Sequence, residues 1–226
     1  MLITYLFDPL CGWCYGAAPA LDKLAGISGA VIELAPTGLF SGTGARPMDQ
    51  SFAAYAWSND QRIARLTDQT FSDDYRNNVL ENFAQMFDSG PATLALTAVN
   101  ITQPDRERDA LKAIQTARYV EGRDVSSLPV LSDILASLGL TTAANALLAP
   151  DEALVLANRQ RIDKAQSLMR EFNATGVPTL IIERDGKHYP VLTSALFGGL
   201  EALVADLTPK SAASDGAAED ANVLYL

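Results

Sequence analysis

The chain has 226 residues, 48% hydrophobic and 19% charged, with 27 acidic against 17 basic side chains and a formal net charge of -10. That acidity excludes nucleic acid and anionic membrane as main partners, because both need basic patches. No apolar run reaches the roughly 20 residues of a membrane helix.

The segment LITYLF, residues 2–7, is rich in β-branched and aromatic types and stops at Asp8-Pro9, which predicts a buried strand. It lacks the charged n-region and small-residue cleavage site of a secretory signal, and a cysteine motif begins at residue 11, so a cytoplasmic location is expected. Cys11 to Leu24 reads as a helix and Val31 to Ala35 as a second short strand, giving a βαβ unit with parallel strands. The Gly-containing connection LFSGTGARPMDQ, residues 39–50, is expected to be a flexible link, with lining of a peptide or glutathione groove as the alternative.

From there the period turns helical, with no convincing strand. Ser89-Gly90-Pro91 reads as a helix start capped by Asp88-Ser89. Ala110, Leu111, Ile114, Ala117 and Arg118 share a face closed by Gly122, and Arg106, Arg108 and Lys112 alternate with acids as a solvated face. Ser126 or Ser127 is expected to cap a helix stopped by Gly139, and Asp151 a longer one ending near Gly176. Strand signal returns at Thr179 to Glu183, then Asp185-Gly186 as a hairpin turn and His188 to Leu192, where Pro190 argues for a sheet edge. Ser194 starts a closing helix, and residues 209–226 read as an acidic disordered tail whose last four, Val223 to Leu226, carry no assignment. The order predicts an α/β thioredoxin fold, βαβ then ββα, with a large all-helical insertion between its halves. The expected parts are residues 1–45 and 173–208 for the thioredoxin domain and 46–172 for the insertion.

Cys11-Gly12-Trp13-Cys14 follows the first strand and opens the first helix. Unpaired N–H groups and the dipole at that helix start favour a thiolate at Cys11, and Cys14 one turn on is placed to resolve a mixed disulfide. Two thiols and the single His188 are too few for a four-ligand zinc site, so no metal is expected. The two cysteines also provide no disulfide framework of the type that staples small secreted folds. Thr175-Gly176-Val177-Pro178-Thr179 precedes the third strand, where the fold sets a cis proline opposite the cysteines, so a cis Val177–Pro178 bond is predicted and the substrate backbone is expected to pair with Val177. Asp8 is a candidate relay for the Cys14 proton or a turn carboxylate, Trp13 a substrate-facing or packing residue, and His188 a surface histidine.

The segments FDPLCGWCYGAAP, IQTARYVEGRDVSSLPVL and GVPTLII resemble the DsbA family, in particular its FrnE-like branch of protein-disulfide isomerases, over nearly the whole chain apart from the tail. The resemblance implies Cys11 as nucleophile, Cys14 as resolving thiol and Pro178 as the cis proline. Gly-Trp between the cysteines, where the periplasmic oxidases carry histidine, implies a less oxidising disulfide. The expected activity is dithiol–disulfide exchange on protein or small-molecule thiols, with no organic cofactor and glutathione as a candidate co-substrate. Two other readings stand beside it: a glutathione-dependent transferase or isomerase of kappa-class type, whose relatives generally carry serine at the position of Cys11, and a non-catalytic holder of soft metal or client protein.

Overall fold

The computed structural model describes residues 1–184, 186–191 and 194–207. Strand β1 (Leu2–Phe7) is central in a four-stranded sheet. It pairs in parallel with β2 (Val31–Pro36), Leu2 opposite Val31 and Phe7 opposite Pro36, and antiparallel with β5 (Thr179–Arg184). β6 (Lys187–Val191) closes the order as an edge, where Pro190 costs no ladder bond. Gly186, with φ +71°, supplies the left-handed turn before it; Asp185, Leu192, Thr193 and the tail from residue 208 lie outside the described residues.

Alternation along the strands divides the core. Ile3, Tyr5 and Phe7 face one side with Leu180 and Ile182, packed with Leu21, Leu24 and Leu196. Leu6, Ala35 and Ile181 face the other, where Ala165 of α9 (Glu152–Glu171) covers them. The helix expected from Cys11 is two, α1 (Gly12–Gly16) and α2 (Ala18–Ala25), because Pro19 has no N–H to bond across the junction.

Between β2 and β5 the chain is helical, apart from a two-residue ladder between β3 (Arg46–Pro47) and β4 (Met86–Phe87) that is too short for the sequence to announce. α3 (Gln50–Thr67) is capped by Asp49, which accepts from Phe52 N at 2.8 Å. α4 (Asp73–Tyr75) runs into a π turn at Arg76–Leu80, and α5 (Gly90–Thr102), α6 (Glu107–Tyr119), α7 (Leu128–Ser137) and α8 (Thr141–Leu148) follow. Asp151 caps α9 as expected, accepting from Leu154 N at 2.8 Å, and the helix ends before Asn173, whose φ is +51°. Two expected caps behave differently. Ser127 makes no side-chain cap, and Asp124 instead accepts from Ser126; of Asp88-Ser89, Asp88 accepts from Gly90 N at 2.8 Å while Ser89 sends its hydroxyl away from α5. The closing helix is also split, into α10 (Ala195–Gly198) and α11 (Leu200–Leu207), at Gly199. This is the thioredoxin arrangement with a helical insertion. Among the described residues no helix is long and apolar enough to cross a membrane.

Candidate active site

β1 ends where its ladder with β2 ends, and the turn Asp8–Leu10 carries the chain into α1. Cys11 is the N-cap of α1 with extended backbone (φ -81°, ψ 117°), and its N–H donates to Asp8 O at 3.1 Å. The residue is 7% exposed, and its thiol donates to Val177 O at 3.7 Å, across from the last turn before β5. The Val177–Pro178 peptide bond is cis. Cys14 lies behind, 1% exposed, and the two cysteines, both free thiols, approach to 3.5 Å. Burial pushes the Cys14 thiol well up, and the neighbouring Cys11 adds to the rise, so Cys14 is protonated at neutral pH.

Asp8 is fully buried and ties three segments together. Its carboxyl accepts from Leu10 N at 2.9 Å, from Phe40 N at 3.1 Å and from the Ser89 hydroxyl at 2.7 Å. Burial raises its pKa, while these donors and Arg118 pull it back. The glycine-containing connection is therefore pinned rather than loose: Phe40 also accepts from Ser89 N and packs edge-on against Phe87 at 4.8 Å. Trp13 is half-buried, edge-on to Phe197 at 5.1 Å with Arg62 over its ring. His188 is at the surface on β6, 3.6 Å from Glu183 and beside Phe172. Among the described residues no group of three or more His, Cys, Asp or Glu side chains is placed to hold a metal ion.

A model described as a DSBA-like thioredoxin domain matches residues 2–202. The chain belongs to the DSBA-like thioredoxin family. It is similar to the cytosolic disulfide reductase DsbM from Pseudomonas aeruginosa, 34% identical over 92% of this chain and 97% of that one, with a TM-score of 0.81. The same protein with GSH aligns at 33% identity, the same coverages and a TM-score of 0.79. A candidate protein disulfide isomerase from Nitrosomonas europaea, 22% identical over 91% of this chain and 98% of that one, shares the fold at a TM-score of 0.73. No curated protein sequence matches the chain.

In this DSBA-like chain the insertion supplies polar groups whose place beside Cys11 the sequence did not show. Tyr119 donates to Leu10 O at 2.7 Å, directly before Cys11. Asp60 is buried on α3 and accepts from Tyr75 Oη at 3.0 Å; a Cβ on Gly12 would collide with its other oxygen, Oδ1. Burial lifts its carboxyl to about 7, with Tyr75 and Arg118 opposing the rise. Arg118 is a buried cation over the rings of Tyr75, Phe87 and Tyr119 at 5.3 to 5.6 Å. One signal was readable: Asp60 falls on the same helical stripe as Ala53 and Ile63, where an acid interrupts an inward face.

Proposed function

We propose that the chain reduces disulfides of proteins or small molecules through Cys11 and Cys14, drawing electrons from a low-molecular-weight thiol such as glutathione. One observation carries this: a nearly buried thiol at a helix start, lining an open pocket and turned toward the Val177 carbonyl, with a protonated buried thiol 3.5 Å behind it. The Cys11 thiolate attacks one sulfur of the substrate disulfide, forms a mixed disulfide and expels the other sulfur as a thiolate. Cys14 then loses its proton and attacks Cys11, closing the Cys11–Cys14 bond and releasing the second substrate thiol. Two electrons have passed to the substrate, and two molecules of glutathione restore the dithiol, leaving glutathione disulfide.

In this reading Val177 offers its backbone to the substrate beside Pro178, Trp13 forms the rim, and Asp8 holds the turn in place. The DsbM structure with GSH supports a glutathione-coupled reductase in the cytoplasm. The FrnE-like assignment rests on the sequence segments alone.

The test is equilibration of the cysteine pair in defined glutathione buffers, read by alkylation and mass. A midpoint near about -270 mV fits a reductase, and one above about -180 mV would move the assignment to oxidation or isomerisation. Cys14→Ser should accumulate the mixed disulfide at Cys11. If no internal disulfide forms at any poise, the dithiol mechanism is wrong.

A further inference from the structure

We propose that the cavity beside Cys11 recognises the residue adjoining the cysteine of a substrate disulfide and selects an aromatic or large aliphatic side chain there. The proposal rests on the exchange reaction above and names its substrate class. The cavity is about 220 Å³, with Cys11, Gly12 and Trp13 on one wall and Phe40, Phe52 and Phe87 among the others. The three phenylalanines interlock edge to face, Phe40 and Phe52 each within 5 Å of the Phe87 ring centre (4.8 and 4.9 Å), so this wall is preformed.

Volume decides the occupant. A cavity of roughly 150 Å³ holds one benzene ring, whereas drug-sized ligands need roughly 300 Å³ or more. One ring or one branched side chain fits between those limits, and a tripeptide does not. Because Cys11 is part of the wall, a group reaches the cavity during attack only if it is joined within about one residue of the reacting sulfur, given the roughly 3.8 Å between successive Cα atoms. Glutathione has no apolar residue beside its cysteine and leaves the space unfilled. The client disulfide and the reducing thiol therefore differ in the feature this cavity reads.

Asp60, which also lines the cavity, makes entry depend on pH. The groups facing it are Tyr75 from α4, Arg118 and Tyr119 from α6, and Cys11 across the space. Arg118 favours the carboxylate, but burial outweighs it and the midpoint lies at about 7. A neutral carboxyl tolerates an apolar neighbour; a carboxylate resists losing its remaining water. Selectivity is thus greatest below the midpoint and declines as Asp60 ionises.

The experiment is single-turnover reduction by the pre-reduced protein of two peptide disulfides, one with phenylalanine and one with glycine beside each cysteine. Each rate is divided by that peptide's rate with free glutathione. The expected Phe/Gly ratio is about tenfold or more at pH 6, the scale of an apolar pocket contact, and falls toward one by pH 8. Asp60→Asn should keep the pH 6 ratio at pH 8, and Ala56→Phe, which fills the cavity, should collapse it at pH 6. A wild-type ratio near one at pH 6 with both peptides reduced overturns the recognition pocket and leaves the exchange reaction standing. A high ratio that ignores pH overturns the role of Asp60. If neither peptide is reduced and no internal disulfide forms in glutathione buffers, the exchange reading fails and this proposal falls with it. Where Ala56→Phe does not fold, the wild-type pH series decides alone.

Discussion

Replacing Asp60 with asparagine should stabilise the protein, and by an amount that grows with pH. The side chain is 5% exposed, and burial raises its carboxyl from 3.8 to about 7. A carboxyl raised on folding contributes stability that is fully present below its unfolded pKa, is lost as pH climbs toward the folded value, and changes no further above it. A shift of about three pKa units corresponds to roughly 4 kcal/mol, somewhat more than half of which accrues between pH 5 and pH 8. Asparagine has nearly the same shape, keeps an acceptor for Tyr75 and carries no charge to desolvate. Urea unfolding of both proteins from pH 5 to pH 8.5 should therefore give curves that diverge through pH 7, with the asparagine form more stable by an amount that levels off above about pH 8. Curves that run parallel across that range would mean that Asp60 does not titrate in this window, and the pH dependence assigned to the cavity would go with it.

Gly12→Ala sets a Cβ against Asp60 Oδ1 and 3.2 Å from Ile63 Cδ1. Overpacking of this type costs about 1–3 kcal/mol, and Asp60→Ala should restore most of it in a double-mutant cycle by urea unfolding; simple additivity would show that the two positions do not touch. Ser89→Ala withdraws the hydroxyl donor 2.7 Å from the buried Asp8 carboxyl, for an expected loss of about 1–3 kcal/mol in the same assay. A loss below about 0.5 kcal/mol, the range of an ordinary surface substitution, would mean that the contact does not hold the turn.

The parts that sequence made legible are those where one local rule dominates. LITYLF is a strand because its residues suit no other buried element, Pro190 marks an edge, and Asp151 caps α9 through its own third neighbour. The approach of Cys11 and Cys14 was readable for the same reason, since the two need only adjacent strand and helix to meet. The failures are equally physical. Of the expected Asp88-Ser89 cap only Asp88 holds, accepting from Gly90 N at 2.8 Å, because a fully buried carboxyl 81 residues away is the stronger claimant for the Ser89 hydroxyl. The connection at residues 39–50 looked flexible from its glycines, but Phe40 supplies both a backbone partner for Asp8 and a ring for the aromatic wall. Local propensity says nothing about a partner supplied by tertiary packing.

That pattern bears on why the insertion exists. β1 and α1 place the Cys11 sulfur, but its surroundings come from elsewhere: Asp60 and Phe52 from α3, Tyr75 from α4, Ser89 before α5, Arg118 and Tyr119 from α6. Tyr119 and Ser89 fix the turn before Cys11, directly through Leu10 and through Asp8. Asp60 presses on Gly12, so the first residue between the cysteines is small because the insertion leaves no room. A buried acid and a buried arginine are costly features that apolar residues of similar volume would often replace with a gain in stability. Their cost falls on the wall shared by the cavity and the sulfur, where a titrating carboxyl changes what can enter. The insertion is thus half of the candidate site, and the surroundings of Cys11 come from residues 41 to 108 positions further along the chain.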